Sequence, residues 1–164
     1  MSEEIPGPPF KATPEHEFLA RQEGKWDVCC TYSMGPEIDP MEVTGSETAE
    51  MLGPFWLVTR FEADLLGSPM SGQASTGYDP VRKRFVGSWK DSSIPFLYTF
   101  EGFLDDEQKT LRMSGENYDP VRGLNAMYRS VIEYISDREK KLTLSVEVKG
   151  GDIYQILEYH YTRP

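Results

Sequence analysis

From Trp26 to the C-terminus, apolar and polar residues alternate with a period of two, the spacing that puts successive side chains on opposite faces of a β-strand. Trp26, Val28, Cys30 and Tyr32 alternate with Asp27, Cys29, Thr31 and Ser33. Met41–Leu52 reads as a second, more polar strand, and Phe55, Leu57, Phe61, Ala63 and Leu65 mark a third. Met70–Tyr78 is rich in Gly and Ser, which predicts a weakly packed strand that is bent or bulged. Phe85 and Trp89 mark a fifth, Phe96, Tyr98 and Phe100 a sixth, and Leu111 and Met113 a seventh. Met127, Val131 and Ile135 are read as the apolar face of the eighth. Leu142, Leu144, Val146 and Val148 alternate cleanly in the ninth, and Leu157, Tyr159 and Tyr161 in the last.

The breaks between these runs are short and polar, as at Asp105-Asp106-Glu107, Asp137-Arg138-Glu139 and Gly150-Gly151-Asp152. Short breaks force antiparallel neighbours, because parallel pairing needs a crossover of about a dozen residues or more. Strands with one apolar face must also hide their edges, by closing into a barrel or by stacking as a two-sheet sandwich. The barrel is the simpler solution. Helical spacing is confined to the start: Thr13 suits an N-cap, Pro14 the first turn, and Glu15 and Glu17 the positive end of the helix dipole. Phe18 and Leu19 supply its apolar stripe, and Gly24 is read as its stop. The expected fold is mainly β: a single antiparallel barrel of about eight to ten strands with a short N-terminal helix. Residues 1–12, with their Pro-rich start, are read as a disordered tail, and residues 13–164 as one domain.

One local repeat stands out: Tyr78-Asp79-Pro80-Val81-Arg82 recurs as Tyr118-Asp119-Pro120-Val121-Arg122. Asp-Pro suits the first two positions of a type I turn, so the repeat reads as reuse of one hairpin turn. The functional alternative is a pair of ligand-gripping loops at one barrel rim.

Charge narrows the function. A formal net charge of −10 over 164 residues argues against nucleic acid and against anionic membranes as partners. Nothing approaches the roughly 18 apolar residues of a membrane-spanning helix. The acidic start has no basic or apolar leader segment, which points to the cytoplasm. Cys29 and Cys30, adjacent in a strand, read as one outward and one buried thiol, and their spacing fits no metal site.

Gly24-Lys25-Trp26, directly after a short helix and opening the first strand, resembles the Gly-x-Trp signature of the lipocalin-like (calycin) barrels. That resemblance implies that Trp26 closes one barrel end and that a basic residue of the last strand, here Arg163, covers it. A wider set of residues resembles a bacterial family catalogued as domain of unknown function 1579, and the match runs nearly from Pro14 to Arg163. It comprises His16-Glu17-Phe18-Leu19, Gly24 and Trp26, Leu52-Gly53, Gly72, Gly77-Tyr78-Asp79, Trp89-Lys90-Asp91, Tyr159, Tyr161 and Arg163, and it departs from the family at Pro54. Another calycin branch, the haem-binding nitrobindins, is similar in carrying a histidine late in the chain. His160 occupies that place, but alternation sends it outward. His16, on the helix, is read as a surface or capping residue.

No nucleophile with a base, no metal cluster and no phosphate-cradling loop is visible, so neither a catalytic residue nor a cofactor is expected. What remains is the barrel interior. Strand parity places Phe61, Trp89, Tyr98, Phe100, Met113 and Met127 inward, with Arg129 and Glu133 on the same face as Met127. A barrel of this size is either filled by side chains or holds one small ligand. The expected function is therefore a carrier or sensor for a small apolar or amphipathic molecule, with Arg129 as its polar contact. The alternative is an interaction or assembly module with a filled barrel, for example a homodimer. A haem-binding protein, or an enzyme acting on a lipid or small ring compound, comes third.

Overall fold

Ten strands follow one short helix in the structure, a computed structural model that describes residues 10–148 and 150–164. The helix α1 is Pro14–Ala20. The strands are β1 Gly24–Tyr32, β2 Met41–Leu52, β3 Trp56–Leu65, β4 Ser68–Asp79, β5 Arg84–Asp91, β6 Tyr98–Leu104, β7 Thr110–Asp119, β8 Leu124–Ser136, β9 Glu139–Glu147 and β10 Ile153–Thr162. Each pairs antiparallel with its neighbours in sequence, and β1 pairs with β10 from Asp27↔Thr162 to Tyr32↔Leu157. The sheet is a closed barrel, so no strand is left as an edge and the sandwich alternative falls away. Most of the expected tail, residues 1–9, lies outside the described residues. No described helix is long and apolar enough to cross a membrane.

Because the strands run up and down in order, the connections after β1, β3, β5, β7 and β9 surround one end of the barrel. The helix, the other connections and the C-terminus surround the opposite end, the floor. Thr13 caps α1, and His16 Nδ1 accepts the Thr13 amide at 2.9 Å, leaving Nε2–H to donate to the Tyr78 carbonyl at 3.0 Å. His16 is thus a buried capping residue and not a surface one. The helix stops at Ala20 rather than at Gly24. Gly24 instead opens β1 at φ 133°, a conformation that a side chain would strain.

Trp26 closes the floor at 2 % exposure. Its Nε1–H donates to the Gln22 carbonyl at 3.1 Å, and the Arg163 guanidinium lies 4.1 Å from its ring centroid. Arg163 is fixed by donating to the backbone carbonyls of Asp137, Glu23 and Arg21. Phe18 and Leu19 of α1 complete the floor with Ala49, Leu57, Phe85 and Leu111.

The glycine-rich β4 is regular, contrary to the expectation of a bulge: its pairs with β3 and β5 run without a shift. Its glycines act as slots for indoles. A Cβ at Gly72 would lie 2.2 Å from the Trp89 ring, and one at Gly77 would lie 2.5 Å from the Trp56 ring. The cross-strand aromatic supplies the packing that glycine lacks. Register shifts occur instead at Ile135 in β8 and Ile156 in β10.

The repeated turns lie at opposite ends of the barrel, β4–β5 at the floor and β7–β8 at the mouth, so they do not form one ligand-gripping rim. Both are built alike: the Asp79 and Asp119 carboxylates each accept the amides two and three residues on, and each pairs with the arginine at the turn's end. Burial raises the Asp119 pKa, but Arg122 and the two amides lower it further, and the net position is below the ordinary carboxylate range. Its stabilisation is therefore complete above the unfolded pKa, about 3.8, and is lost as pH falls through the lower folded value. Asp119→Ala is expected to cost about 1–3 kcal/mol in urea unfolding at neutral pH. The cost should shrink in strong acid and be smaller for Asp79→Ala.

Candidate functional site

Inward-facing residues are buried at the floor and again towards the mouth, where Val43, Met70, Tyr98, Tyr128 and Val146 lie, and are less covered in between. Trp26, Phe85, Leu111 and Phe61 are fully buried. Ala74, Thr76, Gly87, Trp89 and Phe100 on β4–β6 also point inward, yet they are only half-buried, as are Ile132, Leu142, Leu144 and Leu157 across the barrel. The wall of β4 and β5 is thinly lined here, by the small residues Ala74, Thr76 and Gly87. A Cβ on Gly87 would meet nothing closer than 3.4 Å, in ordinary contact with Met113 and Thr76.

Five of the seven residues nominated from sequence share this inner face: Phe61, Trp89, Tyr98, Phe100 and Met113. Phe61 stacks on Tyr159 at 5.2 Å between centroids, and its ring lies 6.2 Å from that of Trp89. Tyr98 packs edge-on against Tyr128 at 5.2 Å. Trp89 Nε1–H donates to Asp91 at 2.9 Å, so that indole is anchored rather than free.

Met127 and Arg129 are on the other face. Register with β7 and β9 puts Ala126, Tyr128, Ser130 and Ile132 inward and sends Met127, Arg129, Val131 and Glu133 outward. Arg129 is half exposed and pairs with Glu147 at 2.5 Å, and Glu133 pairs with Lys141 at 3.2 Å. The error is one of parity: a shift by one residue exchanges every side chain between faces. His160 also points outward, to Glu139 at 2.8 Å, so no histidine faces the lumen as an axial ligand would.

The polar groups that do face inward are others. Glu47 and Lys140, each nearly buried, stand 3.8 Å apart just above Trp26. Lys140 Nζ lies 4.4 Å from the Trp26 ring centroid and 4.8 Å from that of Tyr161. Burial raises the Glu47 pKa and lowers that of Lys140, each opposed in part by the other's charge. Both positions carried a signal in the sequence. Glu47 falls in phase with Val43 and Ala49, and Lys140 in phase with Leu142 and Leu144, charges on otherwise apolar faces. Higher in the lumen the Tyr32 and Tyr159 hydroxyls bond at 2.5 Å. Burial pushes Tyr32 up to about 12 and raises Tyr159 as well, so both remain uncharged hydrogen-bonding groups. Burial also pushes the Cys30 thiol up to about 12, which leaves it protonated and unreactive, while Cys29 faces out.

Two grooves lie on the outer wall. One of about 490 Å³ runs over β2–β4 at Thr44, Glu62 and Met70, and one of about 670 Å³ lies beside Arg60, Gln73, Lys90 and Leu97. Both are open to solvent. No group of three or more His, Cys, Asp or Glu side chains among the described residues is placed to hold a metal ion.

Among solved structures, Rv2717c from M. tuberculosis is similar over 94% of this chain and 99% of its own, at 16% identity and a TM-score of 0.66. The S-type phycobiliprotein lyase CPES from Guillardia theta is similar over 93% of each chain, at 11% identity and a TM-score of 0.65. At such identities the likeness concerns the barrel fold alone. A comparison with curated proteins finds no match. A family model described as a protein of unknown function, DUF1579, matches residues 11–163, and the chain belongs to that family.

Proposed function

We propose that the protein binds one small apolar or amphipathic molecule inside the barrel, as a carrier or sensor. The observation that carries this reading is the set of inward-facing residues that stay half-buried, Ala74, Thr76, Gly87, Phe100, Leu142 and Leu144, above a floor that is sealed. The walls are aromatic and aliphatic, as small-molecule sites usually are, with few polar groups to orient a ligand. Those groups are Glu47, Lys140 and the Tyr32–Tyr159 hydroxyls, in place of Arg129.

A hydrophobic dye such as 1-anilinonaphthalene-8-sulfonate should bind at about one per chain, as a barrel holding a single ligand would. Gly87→Leu should weaken it by about tenfold or more, because the added side chain grows from an unstrained position into the space itself. Arg129→Met, on the outer face, should leave dye affinity unchanged. Fluorescence titration reads both. Unaltered binding by a folded Gly87→Leu variant would remove the dye, and with it this reading, from the lumen.

A second reading, an interaction or assembly module, is favoured by apolar side chains at the mouth. Met34, Ile38, Leu66, Leu97 and Val121 are 49–88% exposed, one or more on each of four connections. Sedimentation velocity over a concentration series separates the two: a dimer with no dye binding supports the module, and a monomer that binds dye supports the carrier.

A further inference from the structure

We propose that Lys140 is a carbonyl-capturing amine at the base of the lumen, so that the barrel takes small apolar aldehydes or ketones and holds them as an imine. The proposal rests on the lumen being a ligand site and adds the chemical class of the ligand.

The geometry separates Lys140 from the structural task beside it. Trp26 is already covered by Arg163 at 4.1 Å, and Arg163 is held by three backbone carbonyls. Lys140 approaches the same ring from within the barrel, at 4.4 Å, where only Glu47 is near enough to balance its charge. Their 3.8 Å separation exceeds hydrogen-bond length, so neither group saturates the other. A buried ion pair of this kind is poor stabilisation, since apolar residues of similar volume often do as well or better. Among the described residues Lys140 is the one buried lysine. The resting pair is charged, but burial, opposed by each partner's charge, draws both groups towards the amine that attacks a carbonyl and the carboxyl that donates a proton to it. Leu142, two residues on along the same face, and its partner Ile132 are half-buried and offer an apolar wall for the rest of the molecule.

The chemistry balances with these two groups. The Nζ lone pair attacks the carbonyl carbon, a C–N bond forms, and the carbonyl oxygen takes the proton of the Glu47 carboxyl. That oxygen then leaves as water with one proton from nitrogen. The product is an iminium facing the Glu47 carboxylate, with no change of oxidation state.

The test uses the full chain with trans-cinnamaldehyde, reduced in place by cyanoborohydride and mapped by peptide mass spectrometry, beside calorimetric titration with cinnamyl alcohol, which fits the same space but forms no imine. The expected result is one label on Lys140, formed about tenfold or more faster than on any surface lysine. Glu47→Gln should slow labelling by a larger factor than it weakens alcohol binding. Lys140→Met abolishes the label, and if that variant does not fold, Glu47→Leu/Lys140→Met must fold and take no label. Alcohol binding with label absent from Lys140 or spread over surface lysines overturns the proposal and leaves the lumen reading standing. Absence of alcohol binding to the wild-type chain overturns both.

Discussion

Replacing Trp26 by alanine is expected to cost about 3–5 kcal/mol, the usual range for truncating a buried aromatic. The ring is 2 % exposed and packs edge-on against Tyr161 at 6.5 Å. Two cations rest on it, Arg163 and Lys140, and a desolvated cation over an indole contributes up to about 2 kcal/mol. The substitution also strips Gln22 of the indole N–H and leaves Lys140 without one of its two aromatic partners. In a chain of this length such a loss lowers the melting temperature by about 10 °C or more. Differential scanning calorimetry reads it directly. A drop of only a degree or two would mean that Trp26 is not what closes the barrel.

The second large effect concerns the pair above it. Lys140→Ala leaves Glu47 buried without its counter-charge, and breaking a buried pair from one side costs about 3–5 kcal/mol. Glu47→Leu/Lys140→Met, which removes both charges and keeps the volume, should instead be as stable as the wild type or more so. The pH dependence follows the same logic. The Glu47 pKa is raised in the fold, so its contribution is fully present below the unfolded value, about 4.5, and is lost as pH rises through the folded value. The Lys140 pKa is lowered, so its contribution is present above the unfolded value, about 10.5, and is lost as pH falls through the folded value. Both groups therefore weaken the fold near neutrality, and the double variant should flatten the stability profile between the two limits. Urea titrations across pH compare the variants. A double variant as unstable as Lys140→Ala would show that the pair holds the floor together.

The alternation from Trp26 onward was enough to expect about eight to ten strands and to order them as antiparallel neighbours, because a strand half-buried in a sheet writes its inner face into every second residue. Trp26 and Arg163 were singled out by their resemblance to a known pattern, and the Arg163 guanidinium lies 4.1 Å from the indole centroid. The floor's other partners were less visible. Gly72 and Gly77 look like weak points in a strand, and only the neighbouring indoles of Trp89 and Trp56 turn them into packing positions.

Strand β8 shows where alternation fails. Met127, Val131 and Ile135 share their parity with the charged Arg129 and Glu133, whereas Ala126, Tyr128, Ile132 and Tyr134 are interrupted only by Ser130. Two charges against one serine favour the second set, but apolar residues on both parities did not settle the face. Pairing with β7 and β9 did, and it moved Arg129 from the lumen to an outer-wall pair with Glu147.

By itself the sequence determined the class of fold and the antiparallel order of its roughly eight to ten strands. Each of these depends on residues near one another in the chain or on a single period. Only the tertiary structure decided the register of β8 and the meeting of Glu47 with Lys140, which lie on strands separated by β1 and β10 and approach one another because the barrel closes between those two. Closure is a non-local event. It brings together groups whose separate positions in the sequence carry no mark of the partner, and in a small barrel those are the groups that decide what the interior can hold.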